Sequence, residues 1–144
     1  MVLCDATSAV FGQKVAWEKL DATTFSWQKA MGGEAAHGML VLSPKAVNRL
    51  ESYIPDRPIP KVFRLVKNGR LIEGIFSGET INTPSMLCVA DAFDSLLWIK
   101  EIGGLSSTIK RSYKNFTIHQ KWIEQQYWIE NFVKNPVQRS NTSV

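Results

Sequence analysis

Two short apolar runs in this chain each stop at residues able to do chemistry, and that arrangement constrains the fold more than any other feature. Residues 1–4 (Met-Val-Leu-Cys) lead straight into Asp5, and Phe25, Ser26 and Trp27 lead into Gln28 and Lys29. Runs of this length are too brief for helices and read as strands, the first a buried parallel strand presenting its carboxylate at the C-terminal edge. In open α/β sheets that edge is where ligands bind. A third strand is expected over residues 37–42, after Gly32-Gly33, a pair that permits a tight turn and close backbone approach.

Helical signals follow. Ser43-Pro44 is a cap with proline in the first turn and opens a helix over residues 45–53. Beyond a loop with Pro55, Pro58 and Pro60, residues 62–66 and 71–76 flank Asn68-Gly69, a two-residue hairpin signal. Thr83-Pro84 is expected to cap a helix carrying Leu87, Ala90, Phe93, Leu97 and Trp98 and closed by Gly103-Gly104. Ser106 or Ser107 then caps a long helix through Ile109, Tyr113, Phe116 and Ile123, and a further region opens at Trp128. The class expected is α/β.

Composition excludes several functions. With 44% hydrophobic and 21% charged residues, the 144-residue chain is ordinary globular material, enough for about one domain core. Lys plus Arg outnumber Asp plus Glu by 17 to 13, but the charges are dispersed, which argues against nucleic acid as a partner. No run approaches the about 18 apolar residues of a membrane span, and no secretory leader precedes Asp5. Cys4 and Cys88 give neither a disulfide framework nor metal-ligand spacing, so a reducing, cytoplasmic setting is expected. His37 and His119 have no ligand pattern around them and read as structural.

The constellation that could carry chemistry is Asp5, Gln28 and Lys29. Pyridoxal phosphate needs such groups: a lysine amine to condense with its aldehyde, and a carboxylate to keep the ring nitrogen protonated so that the ring accepts electrons. A lysine released by the substrate can also shuttle a proton. The same pair fits a strand-end turn former and a solvated lysine, although Trp27 and Gly32-Gly33 are not the flanks of a solvated helix face. Asn82-Thr83, before Pro84, fits either an ordinary cap or an anion site at a helix N-terminus.

Four stretches extend this reading. Cys4-Asp5-Ala6-Thr7-Ser8-Ala9, Ser26-Trp27-Gln28-Lys29 with Gly32-Gly33-Glu34 and His37-Gly38-Met39-Leu40, Gly78-Glu79-Thr80-Ile81-Asn82-Thr83-Pro84-Ser85, and Arg139-Ser140-Asn141-Thr142-Ser143-Val144 together resemble phosphoserine aminotransferases, in that family's order. The resemblance implies a class V, fold type I transferase and a homodimer that converts 3-phosphohydroxypyruvate and glutamate to 3-phosphoserine in L-serine biosynthesis. It implies that residues 1–110 are the second half of an aspartate aminotransferase-like, pyridoxal-phosphate-binding large domain, and residues 111–144 a linker helix and the start of the small domain.

By the same resemblance Asp5 pairs with the cofactor's ring nitrogen, Gln28 lies beside it, and Lys29 is the catalytic imine lysine. Asn82 and Thr83 contact the cofactor phosphate of the neighbouring subunit. The family's Gly-rich phosphate loop, stacking aromatic residue and substrate-binding groups fall outside these residues, so the chain reads as an internal piece and a poor catalyst alone. Other class V enzymes, such as serine or alanine transaminases acting with glyoxylate, share the Asp and Lys. A desulfurase would need a mobile cysteine, which neither Cys4 in a strand nor Cys88 in a helix supplies. A non-catalytic remnant of the fold is the third possibility.

Overall fold

The computed structural model describes residues 1–143; Val144, the last residue of the fourth motif, lies outside the described residues. Its centre is a three-stranded sheet, β1 (Leu3–Asp5), β2 (Ala22–Phe25) and β3 (Met39–Leu42), in that order. β1 runs parallel to β2, with Asp5 opposite Thr24, and β3 runs antiparallel to β2. The central strand, Ala-Thr-Thr-Phe, has β-branched residues at its middle, and Thr23 is buried to 1% exposure. β2 starts earlier than its apolar residues suggest and stops at Phe25. Trp27 and Lys29 give their carbonyls to the N–H groups of Gly33 and Gly32 (both 2.9 Å), so their backbone turns instead of extending the ladder. Gly32, at φ +70°, occupies the left-handed region that this turn requires.

The expectation that residues 1–4 form a buried strand is only half right. The strand and its parallel pairing are present, but Leu3 is 72% exposed and Met1 and Val2 are exposed as well. β1 is an edge strand of the sheet, and among the described residues no second layer covers the side chains at its start.

α1 (Pro44–Ser52) begins as expected, with the Ser43 hydroxyl accepting from the Ala46 amide at 3.1 Å. Asp21 ties three elements together there. Its carboxylate accepts from the Val2 amide (2.7 Å) and the Ser43 hydroxyl (3.1 Å) and faces the Lys45 ammonium (3.5 Å). The Val2 hydrogen bond, more than the opposing burial, holds its pKa below the usual carboxylate range.

The hairpin forms at Asn68-Gly69, both at positive φ (53° and 73°), as a two-residue turn of this type demands. Its strands are shorter than expected, β4 (Val66–Lys67) and β5 (Arg70–Leu71), because 3-10 turns at Lys61–Phe63 and Glu73–Ser77 take up the flanking residues. α2 (Met86–Glu101) is capped by Ser85, whose hydroxyl accepts from the Cys88 amide, and not by Thr83 as expected. α3 (Leu105–Glu124) starts directly after Gly104, ahead of Ser106 and Ser107. Gly103 and Gly104, at φ +102° and +77°, turn the chain from α2 into α3.

The interior is small. Ala6, Ala46, Cys88, Ala92, Ile99 and Ile123 are its buried apolar residues, whereas Phe93, Leu96, Leu97 and Trp98 of α2 are exposed. A folded monomer of 16.2 kDa exposes about 7,500 Å². This chain exposes 10922 Å². Among the described residues, no helix is long and apolar enough to cross a membrane.

Candidate functional site

Asp5, Gln28 and Lys29 come together. With Thr7, Ser8, Ala9 and Gln13 they line one open hollow of about 460 Å³ at the C-terminal ends of β1 and β2. Parallel pairing of those strands delivers both loops to the same sheet edge, as the topology of ligand sites in such sheets requires.

Asp5 is prepared as an anion. Its Oδ1 accepts from the Thr7 hydroxyl (2.6 Å) and the Thr7 amide (3.0 Å). The hydroxyl first and the amide second hold its pKa below the usual carboxylate range, against a smaller effect of burial. Both bonds use one oxygen, and Oδ2 accepts no hydrogen bond within the described residues. One oxygen therefore fixes the side chain while the other is left without a hydrogen bond from the described residues. The Lys29 ammonium is exposed and has no acidic partner within ion-pair distance among the described residues. The loop that carries it is pinned at both ends: the Ser95 hydroxyl on α2 donates to the Met31 carbonyl (3.1 Å), and the Trp27 and His37 rings stack at 5.0 Å.

A second hollow, of about 430 Å³, shares part of its lining with the first. Gln28 and Lys29 line it too, with Phe11, Trp98 and, from α3, Thr108, Arg111, Ser112 and Asn115. Gly12, Ala30 and, from the last residues described, Thr142 complete its lining. Asn141, 8% exposed, donates from its amide to the Gly12 carbonyl (2.9 Å), and its own carbonyl accepts from the Ser112 hydroxyl (3.1 Å). The Gln13 amide reaches Ser140 and Thr142 (3.1 and 3.2 Å), and the Thr142 hydroxyl donates to the Ser8 carbonyl. Thr142 lies so close over Gly12 that a Cβ there would collide with its methyl group. Sequence reasoning marked residues 139–144 as a motif but had no signal for this docking, because hydrogen bonds across more than 125 positions leave no local pattern.

Asn82 and Thr83 are not part of this assembly. Both are exposed, just ahead of α2, and line neither hollow.

No family model matches the sequence. Relatives nevertheless match along its full length. Phosphoserine aminotransferase of Methanosarcina mazei is 51% identical over all 144 residues, which span 39% of that protein. The chain thus spans about two fifths of the length of the curated relatives it matches. Two crystal structures share its mixed α/β fold. A phosphoserine aminotransferase from Cytophaga hutchinsonii superposes on 98% of this chain and 38% of its own, at a TM-score of 0.73 and 20% identity. An alanine–glyoxylate aminotransferase from Nostoc sp. covers 86% of this chain and 32% of its own, at 0.65 and 17%. Over its full length the chain is thus similar to a stretch of about two fifths of phosphoserine aminotransferases.

Proposed function

We propose that this chain supplies the covalent half of a pyridoxal-phosphate site in a phosphoserine transaminase, acting on 3-phosphohydroxypyruvate and glutamate in cytoplasmic L-serine biosynthesis. The observation that carries the reading is the single hollow lined by Asp5, Gln28 and Lys29, in a chain 51% identical to a phosphoserine aminotransferase.

The residues suit the cofactor. When bound, pyridoxal phosphate supplies an aldehyde for a lysine amine and a ring that takes up the electron pair left when a substrate carbon loses its proton. Lys29 Nζ would be the attachment point and, once displaced, the base and acid moving a proton at the substrate carbon. Asp5 would hold a proton on the ring nitrogen through its free Oδ2, while Thr7 keeps Oδ1 in place. Gln28 would bound the ring laterally. Asn82 and Thr83, exposed and lining neither hollow, fit a role toward the cofactor phosphate of a second subunit, and hence a homodimer. In this reading residues 1–110 are the latter half of the cofactor domain and residues 111–144 open the small domain.

The test is covalent. Pyridoxal phosphate is added to the chain, reduced with borohydride and the adduct mapped by mass spectrometry, beside a Lys29→Ala control. Labelling confined to Lys29 and lost in the control is expected. Equal labelling of wild type and control would defeat the reading.

A further inference from the structure

Resting on that reading of Lys29, a positioning role falls to an aromatic pair at the base of its loop. β2 and β3 keep one register from Ala22 opposite Leu42 to Phe25 opposite Met39. Trp27 and His37 each stand two residues beyond that last pair, so they come opposite one another where the ladder would continue. Strand pairing has ended there, and the side chains take over: the rings stack with centroids 5.0 Å apart and planes 22° apart. The nine residues between them, 28–36, include Gln28 and Lys29 and form a loop that this pair closes.

The imidazole is not placed there by a hydrogen bond at Nδ1, which is buried without a partner among the described residues; the contact that orients it is the indole stack. Trp27 is held in turn. Its carbonyl accepts from the Gly33 amide (2.9 Å), and Gly33 comes so close that a Cβ on it would lie 3.2 Å from the Trp27 Cβ. Lys29, with only Gln28 between it and Trp27, gives its own carbonyl to the Gly32 amide (2.9 Å). Indole, turn and lysine therefore form one short connected unit, and a shift of Trp27 is passed to Lys29.

We propose that His37 is a positioning residue for Lys29: by stacking on Trp27 it closes the loop and sets where the Lys29 amine stands relative to Asp5. His37 lines neither hollow and touches no reacting group in this role. An amine that must meet an aldehyde held beside Asp5 gains from a fixed origin, because misplacement by about 1 Å can cost about a hundredfold in rate.

The test compares His37→Ala and His37→Phe with the wild-type chain by two readouts. Without any cofactor, amide exchange at Gly32 and Gly33 reports whether the loop stays closed, with the Val47 amide, bonded to the Ser43 carbonyl, as a remote reference. With pyridoxal phosphate and borohydride, the share of label on Lys29 relative to the other lysines reports how the amine is presented. His37→Ala is expected to speed exchange at Gly32 and Gly33 about fivefold, to leave Val47 unchanged and to lower the Lys29 share by a similar factor. His37→Phe keeps a ring against Trp27 and discards an unpartnered polar atom, so both readouts should stay at wild-type values. A Phe variant that behaves like the Ala variant overturns the proposal, because the stack would then not be what acts. So does faster exchange at Val47 in His37→Ala, which would make His37 a support of the whole fold, or a Lys29 share that His37→Ala leaves unchanged. The wild type alone tests the underlying reading. If it shows no preference for Lys29, the transaminase reading and the positioning role fall together; if the preference is present and His37→Ala retains it, only the positioning role falls.

Discussion

The two faces of α2 live in different environments. Ile99 is buried at 6% exposure, closed in beside α3, whereas Leu97, two residues earlier, is 49% exposed, and Phe93, Leu96 and Trp98 are exposed with it. The polar region around Lys29 resembles the first face: its loops are held by Thr7, Ser95, Asn141 and Thr142, each with a partner inside the chain. These polar bonds are thus made within the chain, while the apolar surface of α2 and of β1 is left open. Hydrogen bonds need a single well-placed partner, but burial of a leucine needs a whole opposing layer. The chain carries more of the former than of the latter.

The largest effect should come from the buried face. Ile99→Ala removes three methylene equivalents from the small interior and is expected to cost about 2–4 kcal/mol, read as a lowered midpoint in urea unfolding. Next comes the clamp. Asn141→Ala leaves the buried Gly12 carbonyl without its donor and should cost about 1–3 kcal/mol. It should also loosen residues 140–142, seen as faster amide exchange at Thr142. A cost as large as that of Ile99→Ala would show that the clamp, and not apolar contact, organises this region. Ser43→Ala, which removes the cap of α1 and one bond to Asp21, should cost about 1 kcal/mol.

Much of this was legible in the sequence where the cause is local. Ser43-Pro44, Asn68-Gly69 and Gly103-Gly104 fix backbone angles through their own side chains or lack of them, and each sits where its chemistry predicts. Asp5 and Lys29 were legible because strand ends bring them to one edge. The caps of α2 and α3 shifted by two or three residues, α2 starting at Ser85 among several polar candidates and α3 directly at Gly104 without a side-chain cap. The exposure of β1 was not legible, since an apolar strand carries no record of whether its covering layer is present. Nor was the role of Asn141, whose side-chain partner, the Gly12 carbonyl, lies 129 positions away.

Asp5 offers a finer test of the polar region. Its pKa is lowered in the folded chain, so the carboxylate contributes stability that is complete above the ordinary unfolded value of about 3.9 and is lost as pH falls through the depressed folded value. Nothing should change between pH 7 and about 5 at this group. An NMR titration should place the midpoint below that of an unfolded aspartate, and Thr7→Ala should move it back up. An unchanged midpoint in Thr7→Ala would separate the low value from the Thr7 bonds.

The smallest effect belongs to the open face. Leu97→Ala should change the stability of the chain by less than about 0.5 kcal/mol, because half the side chain already meets water and its removal leaves no cavity. Measured beside Ile99→Ala, it holds the helix, the residue type and the helix propensity nearly constant and varies only burial. The same truncation should raise the concentration at which the chain begins to self-associate, since Leu97 belongs to an exposed apolar patch with Phe93 and Leu96. A loss of stability comparable to that of Ile99→Ala would mean that the outer face of α2 is covered in solution, and dilution would then show whether a second copy covers it: the loss would shrink as the protein concentration falls.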